Sequence, residues 1–468
     1  MLNNLCKIYK ILIIIFLLFI CLPVFSNINF GGIWNNDLTV SNYIRYQTQL
    51  SLYLGARYKN YFRFYTQAVT GFYYRYDFDQ ETEEIVSLTD DEVLYLIKPY
   101  ADFDQFYIRW ALPRKDKEEL KTQGGETNFD LLVMRAGRFY VNQGSGLLFS
   151  GNGDGLDIQF NIWNFKARVF GLYSGLFFFR ETDNSQYFFT KFDLAKYNDN
   201  VPVTDRFYGR AFSGLTLSLI NIFYQNFYLM GLVQYDFIPE HALYEDDKSN
   251  KNLLGGQYNS AYAGAGVQGK IYRNLYYLFE FIYESGESRR NLSEHNMRIN
   301  AIALTTQVKY FIPVILNPST YFAFGFASGD QNTVAFIEGN SKGEDNQFRS
   351  PGLYKTGFIA GPVLSNSFIF NLGFTIQPLN ILPIDIIKNI TVVTDFYYYL
   401  KHESNSQISV SGANQNHINV GFELNQELIF PLFSDLNAGI KWGLFVPGQA
   451  FLNEIPTGKF SLRLSHNF

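Results

Sequence analysis

Apolar and polar side chains alternate along this chain with a period of two, and the alternation runs to the last residue. Phe460, Leu462, Leu464 and Phe468 fall on one face of the final segment, with His466 interrupting them, while Ser461, Arg463, Ser465 and Asn467 fall on the other. Successive side chains of a strand point to opposite faces, so this period predicts strands with one apolar and one wet face. The pattern recurs upstream. Ile44, Tyr46, Leu50, Leu52 and Leu54 oppose Arg45, Gln47, Gln49 and Ser51, and Leu275, Tyr277, Phe279, Phe281 and Tyr283 oppose Glu280 and Glu284. Phe368, Phe370, Leu372, Phe374 and Ile376 oppose Ser367, Asn371 and Gln377, and Ile418, Val420, Phe422, Leu424 and Leu428 oppose Asn419, Glu423, Asn425 and Glu427. Two packed sheets would bury such rows equally well, so alternation alone leaves a sandwich and a membrane barrel open.

Composition separates them. The 468 residues include 34 Tyr and 47 Phe, yet mean hydropathy is close to zero. Past the N-terminal segment no apolar run is long enough to cross a bilayer as a helix. A soluble protein exposing this many rings would aggregate, whereas a barrel sets them on its lipid face and in two interfacial girdles. The expected fold is all-β: a closed antiparallel transmembrane β-barrel.

The N-terminus carries Lys7 and Lys10, an unbroken apolar run from Ile11 to Leu22, and Val24 and Ser26 at the −3 and −1 positions of a cleavage site. Residues 1–26 are therefore expected to be a cleaved secretory signal and 27–468 a single barrel domain. The run is too short for a membrane anchor, which takes ~20 residues, and Ile20 is too bulky for lipid attachment at Cys21. Cys6 and Cys21 are the sequence's two cysteines, so the mature domain holds neither a disulfide nor a thiolate metal site. Once Lys7 and Lys10 leave, the 43 acidic residues outnumber the remaining basic ones, which argues against nucleic acid as a partner.

Connections alternate in length, as they do in outer-membrane barrels with short periplasmic turns and long outer loops. Short turns are expected at Arg57–Asn60, Asn161–Asn164, Asn221–Asn226, Ile271–Asn274 and Pro431–Asp435. Long loops are expected at Asp77–Lys98, Leu176–Asp205, Ile238–Gly256, Ser285–Asn296, Ser328–Asn366, His402–Asn416 and Pro447–Lys459. With both termini on the periplasmic side, parity requires a first short strand around Ile28–Trp34 and an unusually long periplasmic link at Ala111–Phe129. About eighteen strands result, with sixteen the alternative.

No catalytic constellation emerges. The five histidines, His241, His295, His402, His417 and His466, stand singly, none at metal-ligand spacing with another. Gly144, Gly146, Gly151, Gly153 and Gly155 crowd one stretch, but no phosphate-binding lysine follows, so a tight loop is expected rather than a nucleotide site. Asn152-Gly153-Asp154-Gly155 lacks the spacing of a calcium loop. Neither cofactor nor metal is expected, and the chain is not read as an enzyme.

The charges on the wet face carry the functional reading. Local alternation points Arg45, Arg63, Arg75, Arg109, Lys166, Arg168, Arg206, Arg210, Lys441 and Arg463 into the lumen, with Asp157, Glu280, Glu284, Asp395, Glu423 and Glu427. Opposed charges in a wet pore set up a field that sorts solutes by charge and size. They also serve as ion pairs that rigidify the wall. Leu131–Phe139 is apolar on both faces, which leaves open whether Arg135 or Arg138 joins the lumen row beside a loop folded into the pore at 141–155.

At Arg135-Ala136-Gly137-Arg138-Phe139, followed by the Gly-rich stretch and Asp154-Gly155, the sequence resembles the alginate-export type of barrel, as does Gly443-Leu444-Phe445-Val446-Pro447-Gly448-Gln449-Ala450-Phe451 before the final strand. The resemblance implies an eighteen-stranded monomer with an arginine-lined pore for acidic polysaccharide or other anions, and it favours Arg138 as the inward residue. The many inward carboxylates depart from that pattern. A porin-like channel of the bacterial outer membrane is expected, passing small hydrophilic solutes, anionic or saccharide ones among them. The alternative is a surface-exposed structural or adhesin barrel. No plug domain precedes the first strand, as an energised transporter would need. Besides solutes, the expected partners are outer-membrane lipid and, through the strand ending at Phe468, the barrel-assembly machinery.

Overall fold

The structure, a computed structural model, describes residues 27–41, 43–58, 61–77, 97–113, 130–174, 209–237, 257–289, 297–336, 339–340 and 342–468. The expected leader and the links 78–96, 114–129, 175–208, 238–256 and 290–296 lie outside the described residues, as do Arg206, His241 and His295 and the side chain of Arg75.

The strands are β1 Asn27–Val40, β2 Tyr43–Tyr58, β3 Phe62–Asp77, β4 Ile97–Pro113, β5 Asp130–Gln143, β6 Phe149–Ile162, β7 Phe165–Ser174, β8 Arg210–Ile222, β9 Gln225–Asp236 and β10 Tyr258–Tyr272. They continue as β11 Leu275–Ser288, β12 Met297–Phe311, β13 Ser319–Ala327, β14 Thr333–Ala335, β15 Gly339–Asn340, β16 Ser367–Ile376, β17 Thr391–Lys401, β18 Asn419–Pro431, β19 Leu436–Pro447 and β20 Thr457–Asn467. All but the small hairpin β14–β15 join one sheet of eighteen strands, in which β1 pairs with both β2 and β20. Every pairing is antiparallel and each strand lies between its chain neighbours, so the sheet closes as the sequence predicts, with eighteen strands rather than sixteen.

The period-two pattern maps directly onto this wall. Leu52, Phe281, Leu372, Phe422 and Leu462 are exposed on the outer surface, while their chain neighbours Ser51, Glu280, Asn371, Glu423 and Ser461 are buried on the inner one. Closure depends on two glycines. The Gly32 N–H donates to Phe468 O at 2.8 Å and the Phe468 N–H to Gly32 O at 3.0 Å. A Cβ on Gly32 would meet the Phe468 ring at 2.5 Å, and one on Gly31 would meet Tyr53 Oη at 2.4 Å.

Parity sorts the connections onto two ends. At the end carrying Asn27 and Phe468, β6–β7, β8–β9 and β10–β11 are joined by two-residue turns. Two links there, 312–318 and 377–390, were not among the expected turns, because Ile312, Val314, Ile315, Ile381, Leu382 and Ile384 carry an apolar pattern straight through them. They are knit together by Asn380 Nδ2 donating to Ile315 O at 2.7 Å, and the second holds the single helical turn α1, Asp385–Lys388. The strand ends that flank the expected long loops share the opposite end. Ser328–Asn366 is one loop, as parity required, and β4 and β5 stop at Pro113 and Asp130 on either side of the long link.

Much of the apolar core forms where inward-folded segments pack on the inner face of the wall. The β5–β6 turn, 144–148, folds inward and buries Leu147 and Leu148 among Phe149, Phe170, Phe212 and Met230. Residues 345–366 of the long loop fold in beside it: the Leu353 N–H donates to Gly146 O at 2.8 Å, and Ser350 Oγ to Leu147 O at 2.7 Å.

Candidate functional site

The inner face of β2 to β7 carries a cross-strand row of arginines. Arg57 on β2 stands opposite Arg63 on β3, Arg63 opposite Arg109 on β4, Arg109 opposite Arg135 on β5, and Arg135 opposite Asp157 on β6. Side chains paired across an antiparallel ladder share a face and stand ~5 Å apart at Cβ, so the register alone concentrates positive charge here. Arg109 bonds Asp130 at 2.6 Å. Arg135 donates to Asp157 through Nε at 2.9 Å and Nη2 at 2.6 Å, and Arg168 donates to the other Asp157 oxygen at 2.7 Å. Three guanidiniums thus share two carboxylates, and Lys166 adds an ammonium on the same face of β7. Asp157 is almost wholly buried, at 2% exposure, while Arg135 keeps 22% and Arg168 15%. The positive groups are the ones presented to the interior.

Arg135 also lies over the Phe139 ring at 4.8 Å and near the Tyr107 ring at 5.9 Å, contacts that help keep its guanidinium beside the wall. The choice between Arg135 and Arg138 is thereby resolved against the resemblance. Arg135, Phe139 and Val141 occupy the inner face of β5, and alternation puts Arg138 on the other face with Tyr140. There Arg138 lies 3.8 Å from Asp154, both side chains largely covered. Gly137 between the two arginines has φ +122°, and a Cβ on it would strike Phe106 O at 2.3 Å. The Gly in this motif serves close strand approach, not arginine placement. Reading the row from sequence missed Arg57 and left Arg135 open against Arg138; the tight turn that pairs Arg57 with Arg63 was the available signal.

The other expected inward residues divide into two groups. Arg45 donates to Gln47 at 3.0 Å, Arg63 stands in the row, and Arg463 reaches Asp37 at 3.3 Å. Lys441 stands opposite Glu427 and lies 4.6 Å from the centroid of the Phe358 ring, which Lys459 approaches at 4.5 Å. Glu280, Glu423 and Arg210 also point inward, but they do not line open lumen. Arg210 is buried in an ion pair with Asp236. Glu280, fully buried, accepts the Ser145 N–H at 2.8 Å, Ser145 Oγ at 2.9 Å and Tyr228 Oη at 2.7 Å. Glu423, equally buried, accepts the N–H groups of Phe358, Ile359 and Ala360, together with Tyr399 Oη at 3.2 Å and Asn425 Nδ2 at 2.7 Å. Glu284 accepts the Arg349 N–H at 2.9 Å, and Asp395 pairs with Lys355 at 3.2 Å. Each of these carboxylates holds a segment of inward-folded loop, which covers it. A strand pattern shows which way a carboxylate points; it does not show what chain later packs over it.

The interior therefore has a cationic wall on β2 to β7, and loop segments that carboxylates of β11, β17 and β18 hold against the remaining wall. Such an arrangement narrows the lumen and gives the narrowing one sign of charge on one side.

No protein-family model and no curated protein matches the chain. Solved structures do. Pseudomonas aeruginosa OccK5 (OpdH) is 11% identical with a TM-score of 0.51, covering 95% of this chain and 99% of that one. Pseudomonas aeruginosa OpdK with vanillate is 8% identical with a TM-score of 0.54, over 95% of this chain and 99% of that one. Pseudomonas aeruginosa OccK3 (OpdO) is 10% identical with a TM-score of 0.53, over 95% and 96%. The chain shares the barrel fold of these proteins along nearly its whole length.

Proposed function

We propose that residues 27–468, released from a signal peptide by cleavage after Ser26, form a porin-like channel of the bacterial outer membrane that passes small hydrophilic solutes, acids in particular. The single observation behind this reading is the row Arg57, Arg63, Arg109 and Arg135 on the inner wall of a closed barrel. Inward charges in a low-dielectric wall focus potential along the lumen and raise the local concentration of counter-charged solute. Likeness of fold to OpdK, described as an outer-membrane protein and solved with vanillate, supports the compartment and the class of solute. Kinship to alginate-export-type barrels in particular rests on the two short motifs alone, so the proposal stays with small acids. The end of the barrel carrying the termini is read as periplasmic, and the strand ending at Phe468 as the segment that engages the assembly machinery. No catalytic, metal or nucleic-acid role is proposed.

Single-channel recording in planar bilayers tests the function. Wild-type protein is expected to conduct with anion preference, and replacing Arg109, Arg135 and Arg168 together with Gln is expected to move the reversal potential toward cations. A folded barrel without conductance would instead favour a structural or adhesive surface role.

A further inference from the structure

On the wall across from the arginine row, near the end carrying the termini, a second cationic cluster lines a cavity of about 410 Å³. It is built from two successive cross-strand rungs. The lower rung sets Lys270 of β10 opposite Tyr276 of β11 and Tyr276 opposite Lys309 of β12. The rung above sets Gln268 opposite Leu278 and Leu278 opposite Gln307, with Asn226 of β9 opposite Gln268. Tyr276 stands edge-on to Phe311, ring centroids 5.7 Å apart. Lys270 Nζ lies 5.8 Å from the Tyr276 centroid and Lys309 Nζ 4.7 Å from that of Phe311.

No carboxylate lines this cavity, and among the described residues neither lysine is in an ion pair. The nearest acid along the inner face of β11 is Glu280, already engaged by Ser145 and Tyr228. Two ammonium groups held beside the adjoining rings of Tyr276 and Phe311, without a protein anion, repel each other and stay solvated until an anion bridges them. The amides supply a different chemistry. Gln268 and Gln307 each present a donor and an acceptor, the pairing that hydroxyl groups require, and Asn226, whose Oδ1 accepts the Asn221 N–H at 2.8 Å, adds its amide donor. The exposed face of Tyr276 adds a flat surface for a ring carrying C–H groups.

We infer that this cavity, at the exit from the channel proposed above and therefore resting on that reading, is a binding site for a polyhydroxylated carboxylate the size of a sugar acid. Its carboxylate sits between Lys270 and Lys309, its hydroxyls meet Gln268, Gln307 and Asn226, and its ring lies against Tyr276. The interior would then hold, besides the arginine row, a second positive station that also reads hydroxyls.

The test uses galacturonate, galactose and acetate as probes on the full mature chain. In planar bilayers galacturonate is expected to interrupt the current in resolvable events, and neither galactose nor acetate to do so. The variant Lys270→Gln with Lys309→Gln is expected to shorten galacturonate events at least tenfold, the loss of a charge-assisted contact being worth about that much. Gln268→Leu with Gln307→Leu is expected to bring galacturonate events down to those of acetate. Heat-modifiable migration in gels checks that both variants fold. Equilibrium binding of radiolabelled galacturonate to the detergent-solubilised barrel reads the same site without current. A barrel that binds but does not conduct sinks the channel reading and keeps the site. Binding and event duration unchanged in the lysine variant, or equal responses to galacturonate and acetate, overturn the site.

Discussion

Glu423 offers the sharpest perturbation of the inward-folded loop. Its carboxylate accepts three consecutive backbone N–H groups, with Ile359 and Ala360 both at 2.9 Å, and no water reaches it. Hydrogen bonds to a charged group are worth about 1.5 to 3 kcal/mol each. Three would sum to more than the loop loses, because water rebonds amides that detach, so the low end, about 4 kcal/mol, is the working figure for Glu423→Ala. At 1.36 kcal/mol per decade, that is about a thousandfold rise in local opening. Hydrogen exchange read by mass spectrometry is the assay. Exchange at Phe358, Ile359 and Ala360 is expected to rise by about that factor, while β16, held by its ladder with β13 and β17, keeps its protection. Glu423→Gln preserves shape and one acceptor oxygen but not the charge, and is expected to fall between, at about ten- to a hundredfold. Single-channel current of the Ala variant is expected to become noisier as 357–360 leaves the wall. Unaltered exchange at these amides in Glu423→Ala would refute the claim that the carboxylate holds the loop.

Asp157→Asn keeps the side-chain shape but removes the charge that Arg135 and Arg168 share, so the reversal potential is expected to move further toward anions; a shift toward cations would contradict the assignment. Arg138→Gln, on the other face of β5, is expected to leave ion selectivity unchanged, whereas Arg135→Gln weakens anion preference. Gly155→Val places a Cβ 1.9 Å from Gly171 O and is expected to cost about 3 kcal/mol or more in overpacking. Urea unfolding followed by heat-modifiable gel mobility measures it. Gly32→Val is expected to block closure beside Phe468, read as a loss of the folded band, with Gly439→Ala, where a Cβ makes only ordinary contacts at 3.8 and 3.9 Å, as the tolerated control.

Strands and their number were legible because lipid on one side and polar interior on the other force a period of two along every wall segment, as Leu52 beside Ser51 and Phe281 beside Glu280 show. Links 312–318 and 377–390 escaped notice because aliphatic residues there continue the strand pattern through a turn. The orientation of β5 was illegible for a related reason. Val133, Phe139 and Val141 are apolar on its inner face, the last two packed in one core with the inward-folded turn, and the usual contrast between faces vanishes. Long-range partners were the other loss. Nothing near Glu284 in sequence announces that the Arg349 N–H will reach it, and nothing near Asp157 announces that both Arg135 and Arg168 will.

The wall grips the inward-folded segments mostly by their backbone. Glu280 takes the N–H of Ser145, Glu284 that of Arg349, and Glu423 those of Phe358, Ile359 and Ala360. A peptide N–H is the same whichever side chain it carries, proline excepted. The side chains that shape the aperture can therefore be exchanged without releasing the segment from its mooring. Such a barrel can diverge in what it admits while its scaffold stays still, and an engineer could repopulate 358–360 with non-proline residues as cassettes, keeping Gly357, where a Cβ would meet Glu423 Oε2 at 2.3 Å. Mooring by main chain separates the inheritance of architecture from the inheritance of taste.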